Sequence, residues 1–443
     1  MAEYKKRTVK GKKRSARNTV TVQEIPMKPQ PARKARAEKD VKSNEKIEKQ
    51  AKSKQIEITE DGKRNNIKVI RGNKNKKNIR RLTALGIAAL LVIAVIVMSI
   101  ILPTGIAEYL LNAKSLIGSG SGYPASLSGG TVTDVQTAGN YYIVASSTNV
   151  EGYNANGKNI FSYRHGYEIP ILKKSSSRFM LYSQGSTEFM ICTLYKNLIS
   201  GKTDSDILCA DISDSGYYAI ATQSDSYSSE VTVYNAKNDV VYQWFCSDYI
   251  INDVVLSADG KTIAVSVFNA KDGVYFSKIY ILRYSSADPL KTFEYNDKLI
   301  LSLRSYGRNG FWVIFNNESA YISWGKLLQS NQTYEKNVIF ARGDSSYSVI
   351  ATCRNANLSD NSVYIYAKNG TQKHIIEFDG EISDIAIRGK YVYILSGRTV
   401  YLYNSAGELL NQAECDFGVE RLAPLSNLRA ALVTDNKIQK IVF

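Results

Sequence analysis

The stretch VYIYAKNG, residues 363–370, decides the fold, because its pattern is written three more times: VEGYNANG at 150–157, VTVYNAKND at 231–239 and TVYLYNSAG at 399–407. Each copy runs through apolar residues to a tyrosine, then supplies small polar residues and closes at Asn or Gly. Alternation with period two buries one face of a strand and leaves the other wet. Asn369-Gly370 accepts positive φ cheaply, so this copy predicts a tight turn and a returning strand. Gly157, Asn238 and Gly407 occupy the comparable place. The hairpin tyrosines are expected to cover sheet edges.

A second mark precedes the hairpins. ADISDSGYYAIATQ (210–223) is echoed by VVLSADGKTIAVSV (254–267), with Gly216 and Gly260 44 residues apart. Further copies surround Gly139, Gly310 and Gly389, and weaker ones lie near Ser177, Ser346 and Asn427. These eight marks recur at a mean spacing of about 41 residues, the repeat of a propeller blade of four short strands. The reading is an all-β fold, a β-propeller of seven or eight four-stranded blades over residues 123–443. An open sandwich or two smaller β domains is the competing reading. The last unit, LAPLSNLRAALVTDNKIQKIVF, holds three strands, and YPASLSGG (123–130) is expected to supply the fourth and close the ring.

Upstream the composition changes. The chain of 443 residues has a formal charge of +16, yet residues 1–81 hold 27 Lys and Arg against 9 Asp and Glu, and the rest is close to neutral. Residues 1–81 have too few apolar side chains to offset the entropy of ordering and read as a disordered basic tail. Residues 82–102, LTALGIAALLVIAVIVMSIIL, carry no charge and 13 of the 21 are Leu, Ile or Val. At about 1.5 Å per residue a helix of this length covers roughly 30 Å, the thickness of a bilayer core. Insertion is worth about −4 to −8 kcal/mol from the aliphatic residues alone. The stretch is therefore expected to be a transmembrane helix, and its distance from the N-terminus marks an uncleaved signal-anchor. Nine Lys and Arg and no acid occupy 62–81, against one Lys and one Glu in 103–122. Positive charge stays inside, so the tail is expected in the cytoplasm and the body outside the cell membrane. Lys74, Lys76, Lys77, Arg80 and Arg81 are the expected contacts to anionic lipid headgroups. Residues 103–122 read as a stalk, helical along PTGIAEYLLNAKSLIG and lying on the membrane surface, followed by the flexible linker GSGSG.

Candidate chemistry is sparse. The two histidines, His165 and His374, are too few for a His-based metal cluster, and no GxSxG elbow supports a hydrolase triad. DISDSG, SADG, AKDG and FDGEISD resemble calcium loops but lack the distal bidentate Glu, so they read as turns. GSGSG lacks the Lys-Ser or Lys-Thr of a phosphate loop. Trp244, Trp312 and Trp324 form no repeating motif of the kind quinone-dependent dehydrogenases carry. Cys192, Cys209, Cys246, Cys353 and Cys415 show no paired spacing and read as buried thiols, with one bridged pair still open in an oxidising space. Basic clusters such as YKKRTVKGKKRSAR (4–17) can neutralise phosphate, but no aromatic residues interleave them for base stacking, so nucleic acid is not the expected partner. No catalytic residue, cofactor or metal ligand is assigned.

The basic tail, the uncharged stretch 82–102, the YPASLSGG opening and the Tyr-Asn-x-x-Gly hairpins together resemble an uncharacterised family, a domain of unknown function. Its members are single-span, propeller-like surface proteins of Gram-positive bacteria. The resemblance implies an extracytoplasmic body at the bacterial cell envelope and supplies no site residues. The expected function is a non-enzymatic binding or scaffolding module whose propeller face takes a protein or glycan. An envelope hydrolase and a single-span sensor are the alternatives; a ring of channel carboxylates with raised pKa values would favour the hydrolase.

Overall fold

The computed structural model describes residues 74–101, 104–354, 359–426 and 428–443. The chain divides into units 1–78 and 79–443, and of the first only residues 74–78 are described, as the start of helix α1 (Lys74–Ile101). The rest of the basic tail lies outside the described residues. So do the side chains of Lys74, Lys76, Lys77, Arg80 and Arg81.

From residue 125 onward the described elements are strands, 32 in all, paired as eight four-stranded antiparallel sheets. Eight blades, not seven, carry the eight marks. The innermost strands are β2 (Val132–Ala138), β6 (Pro170–Lys174), β10 (Ile207–Ile212), β14 (Ile250–Leu256), β18 (Ser302–Arg304), β22 (Asn337–Gly343), β26 (Asp384–Arg388) and β30 (Arg421–Ser426). Each mark is the turn from an inner strand to the second strand of its blade, and each Tyr-Asn hairpin joins the third strand to the fourth.

A lone four-stranded sheet cannot bury both faces, so blades stack side by side. Eight buried apolar clusters result, one at each blade-to-blade interface. Ile143, Phe161, Phe179 and Leu181 join blades 1 and 2; Val254, Ile263, Val231 and Val233 join 3 and 4. Tyr142 and Val144 meet Ala423 and Val433 across the junction of blades 1 and 8. Eight interfaces among eight blades make a closed ring. Each fully buried Val, Leu, Ile or Phe contributes about 1.5–3 kcal/mol before entropy is counted. Closure is secured where β1 (Ala125–Ser126) pairs with β32 (Lys437–Val442), through Ala125↔Ile438 and Ser126↔Lys437. Blade 8 is thus built from both ends of the propeller, as YPASLSGG suggests.

The repeated hairpin turn has a specific chemistry. The Asn154 carboxamide oxygen accepts from the N–H groups of Asn156 and Lys158, Asn235 does the same for Lys237 and Asp239, and Asn404 for Ala406 and Glu408. The side chain mimics a backbone turn and fixes the loop. In the opening copy Ala367 replaces this Asn, and Asn369 accepts from Thr371 N–H. Gly370 takes φ +80° while Asn369 stays out of the positive region, and the ladder shifts between Ile365 and Tyr366. The loop is a turn followed by a left-handed glycine with a bulge, not a two-residue Asn-Gly turn. Two of the four hairpin tyrosines also differ from the expectation, while Tyr234 and Tyr403 stay partly exposed. Tyr153 and Tyr366 are fully buried between blades rather than covering edges. The Tyr153 hydroxyl donates to Ser126 O at 2.8 Å, and that of Tyr366 pairs with Tyr334 at 2.8 Å. A phenol can end a buried strand because its polar tip finds a partner.

Helix α2 (Ile106–Ser115) docks on the face formed by the first-to-second-strand and third-to-fourth-strand turns. Glu108 and Asn112, one turn apart, are its buried residues. The Glu108 carboxylate accepts from Arg178 Nε at 2.9 Å and Nη2 at 2.8 Å, and Arg178 Nη1 donates to Ala236 O at 3.0 Å. Asn112 donates to Ser177 O and accepts from Leu194 N–H, both at 2.9 Å. Beyond it, Asn154 Nδ2 donates to Leu116 O and Gly118 O, and Lys158 Nζ to Ile117 O. The segment read as a stalk and free linker is therefore tied to blades 1–3. The helix holds the propeller with its polar face, while Tyr109, Leu110, Leu111 and Ile117 are exposed.

In α1 the side chains of residues 83–97 are exposed. Among the described residues no helix is long and apolar enough to cross a membrane. The 21-residue stretch 82–102 is only partly among them, since the side chains of residue 82 and of 98–102 lie outside.

Candidate functional site: the channel wall and the face opposite α2

Every inner strand carries at least one ionisable residue: in blade order Asp134, Lys173 with Lys174, Asp211, Asp253, Arg304, Arg342, Asp384 with Arg388, and Arg421. The four carboxylates act between blades. Asp211 Oδ2 accepts from Leu256 N–H, Asp253 Oδ2 from Leu303 N–H and Asp384 Oδ2 from Leu422 N–H, each at 2.8 Å and each on the next blade. Asp134 takes Val135 N–H and the Gln136 carboxamide, which also reaches Leu172 O on blade 2. These are staples: a charged acceptor pins the inner strand of the following blade.

Burial lifts the pKa of Asp211 to about 6, against the opposing pull of Lys173 and two N–H donors. It raises Asp384 too, opposed by Arg342. Raised carboxylates in the channel are the mark set out above for a hydrolase, but here each has an oxygen accepting the N–H of a neighbouring strand. The cations are held loosely by comparison. Lys173 lies 3.7 Å and Arg304 3.9 Å from Asp253, and Arg342 lies 3.9 Å from Asp384. The side chains of Asp253 and Asp384 are 9% and 4% exposed, those of Arg304 and Arg342 40% and 39%. Solvent in this part of the channel meets guanidinium rather than carboxylate.

Two clefts flank this wall. One of about 190 Å³ lies between blades 5 and 6, lined by Leu301, Arg304, Ile339, Phe340 and Arg342 among others. It exists because β18 has only three residues and β22 is bulged between Val338 and Phe340. The other, about 350 Å³, sits beside the end of α2, lined by Leu116, Asn140, Asn156, Ser426 and Arg429 among others.

The face opposite α2 carries the remaining loops and several exposed apolar residues: Ile169, Tyr227, Val274, Tyr275, Leu301 and Phe417. β15 (Thr262–Lys271) and β16 (Val274–Arg283) pair out to Lys271↔Val274. Their neighbours stop at Ile250↔Phe268 and Phe276↔Asn296, so the hairpin tip overhangs blade 4. Its turn, Asp272-Gly273, has φ of 52° and 80°, the two-residue type the flanking twist favours.

The residues weighed from sequence take ordinary roles. His165 is buried, its Nε2 3.1 Å from Ser146 O while Nδ1 accepts from Tyr167 N–H, and burial lowers its pKa. His374 is exposed on β25 (Gln372–Asp379). Asp259 accepts from Ser257 Oγ and Lys261 N–H, which is turn chemistry. Among the described residues no group of His, Cys, Asp or Glu could hold a metal ion. All five cysteines are buried. The channel residues escaped the sequence reading, although a signal exists: Asp followed by Val or Ile, at 134, 211, 253 and 384, a few residues before four of the turn marks.

A ring of eight four-stranded blades, closed by an N-terminal strand and carrying charged staples around its channel, makes this an eight-bladed β-propeller. The chain belongs to the family of unknown function DUF5711, which matches residues 124–443. Among solved structures, the C-terminal WD40 domain of Sif2 is similar with a TM-score of 0.50 at 10% identity, covering 72% of this chain and 98% of that one. BamB from Moraxella catarrhalis gives 0.47 at 13% identity, covering 72% and 100%. Apo AztD from Citrobacter koseri gives 0.45 at 9%, covering 64% and 86%. At such identities the likeness concerns the fold alone. A search of curated proteins returns no match.

Proposed function

We propose that this chain is a membrane-anchored binding or scaffolding module of the Gram-positive bacterial envelope. In this reading residues 82–102 span the cell membrane, the basic tail stays in the cytoplasm with Lys74, Lys76, Lys77, Arg80 and Arg81 against anionic headgroups, and the propeller stands outside. The observation that carries it is the inverted helix α2. It turns Glu108 and Asn112 towards protein and leaves Tyr109, Leu110, Leu111 and Ile117 exposed. An apolar stripe facing away from the body suits the boundary between headgroups and acyl chains, and the uncharged stretch 82–102 immediately precedes it. With α2 at the membrane, the opposite face, with its overhanging hairpin and exposed apolar loops, points outward and meets the partner, a protein or a glycan.

Introduced cysteines test this, because the native ones are buried. A membrane-impermeant maleimide added to intact protoplasts should label Phe417→Cys at once and Ala2→Cys only after lysis. Bimane attached at Ile117→Cys should be quenched by lipids carrying a shallow spin label, and bimane at Phe417→Cys should not. Labelling of Ala2→Cys in intact protoplasts, or equal quenching at both sites, overturns the reading.

A further inference from the structure

The cleft between blades 5 and 6 combines two features that a structural packing role does not require. Its walls are apolar, from Leu301, Ile339 and Phe340, and its floor holds Arg304 and Arg342. A guanidinium has five N–H donors. Among the described residues Arg304 makes one long hydrogen bond, 3.4 Å to Leu303 O, and Arg342 one of 3.3 Å to Ala341 O, its guanidinium lying 5.6 Å from the Phe340 ring. The carboxylates nearest them stand at 3.9 Å, beyond hydrogen-bond reach. Asp253 and Asp384 each accept from an N–H of the next blade through Oδ2, while Asp384 Oδ1, the oxygen nearest Arg342, is buried without a hydrogen-bond partner. The donors these two partly exposed guanidiniums keep to spare line an apolar-walled cleft, where an acceptor from outside the protein can meet them.

We propose that this cleft binds the C-terminal carboxylate of a polypeptide whose last side chain is apolar. The carboxylate lies across Arg304 and Arg342, for which paired guanidiniums offer the fork geometry. The terminal side chain enters between Leu301 and Phe340. A volume of about 190 Å³ takes one residue rather than a whole ligand, so the cleft reads an end group. The ladder between β22 and β23 (Tyr347–Cys353) skips Ile339, where β22 bulges into the wall of the cleft. A long-chain fatty acid shares the carboxylate, but its acyl chain exceeds what a cleft of about 190 Å³ holds.

The site rests on the binding-module reading, and its test is independent of membrane placement. Full-length protein in detergent micelles is titrated with fluorescein-Gly-Ser-Gly-Ala-Leu, as the free acid and as the C-terminal amide, and read by anisotropy. The free acid should bind at least tenfold tighter than the amide. Arg304→Gln/Arg342→Gln should lose that preference while its melting temperature stays near the parent's. Arg304→Lys, which keeps the charge and loses the fork, should give an intermediate loss and serves if the double variant is unstable. Hexanoate should displace the peptide much less well than the unlabelled peptide acid. Equal binding of acid and amide, an unaffected double variant, or hexanoate competing as well as the peptide overturns the proposal, the last in favour of a lipid carboxylate. None of these outcomes bears on the protoplast labelling.

Discussion

Replacing Glu108 by Ala tests whether the buried ion pair holds α2 to the propeller. The pair is bidentate at 2.8 and 2.9 Å with both side chains less than a tenth exposed. Removing one partner of such a pair leaves an uncompensated charge and costs about 3–5 kcal/mol. The residual hydrogen bonds of Asn112 and of Arg178 to Ala236 O moderate this, so the lower end applies. Undocking is local, because no residue of α2 belongs to a blade interface and, of the described residues 104–118, Leu116 alone packs against one, as a partly buried neighbour of the core between blades 1 and 2. The loss should therefore appear as a larger open population of 104–118 and not as global unfolding. At about 1.4 kcal/mol per decade, 3 kcal/mol raises that population roughly 100-fold. Tryptic cleavage after the exposed Lys114 reports it when opening is fast relative to cleavage. Full-length protein in nanodiscs should be cut about 100-fold faster in Glu108→Ala, with an unchanged propeller melting temperature. Glu108→Leu/Arg178→Met, which removes both charges, should be cut close to the parental rate. A rate within threefold of the parent for Glu108→Ala refutes the clamp.

Gly260 has φ +69°, and a Cβ there would lie 2.5 Å from Ser215 Oγ and 2.7 Å from Tyr217; Gly260→Val should lower the melting temperature by several degrees, and an unchanged melt counts against the turn geometry. Burial pushes Cys192 up to about 12 and raises Cys209 as well, so a thiol reagent at pH 8 should react with the folded protein only as it unfolds; a fast stoichiometric burst contradicts this. Asp211 has a folded pKa of about 6, above its unfolded value of about 3.9, so the folded state holds the proton more tightly. Its contribution to stability is full below pH 4 and is lost as pH rises through 6. Asp211→Asn keeps an acceptor for Leu256 N–H and should melt higher than the parent above pH 6 but not below pH 4; a difference independent of pH removes the burial argument.

Much of the ring is legible in the chain because its signals are local. Asn154, Asn235 and Asn404 fold their own loops by hydrogen bonds within four residues, and glycines such as Gly260 supply a conformation the turn demands wherever the blade sits. The Asp-Val and Asp-Ile pairs at 134, 211, 253 and 384 were equally visible, but their partners lie on the next blade; Leu256 is 45 residues from Asp211. Without knowing which strand is innermost, an aspartate before a turn reads as turn chemistry. The segment 103–122 shows the same limit from the other side. Its apolar spacing at Ile106, Leu110, Leu111 and Ile117 reads as a helix along a membrane surface, and nothing in it shows that Glu108 and Asn112 hold the propeller, because Arg178 and the backbone groups of Ser177 and Leu194 meet them only once blade 2 has folded.

By itself the sequence determined the repeat, the hairpins, the eight turn marks and the donation of an N-terminal strand to the last blade, since each follows from dihedral preference and alternation over a few residues. Tertiary structure alone decided what faces the channel and the clefts: which carboxylates become staples, which guanidiniums keep donors to spare, and which face of α2 is buried. Those outcomes depend on groups brought together from 36 to 82 residues apart, and only closure of the ring sets their distances.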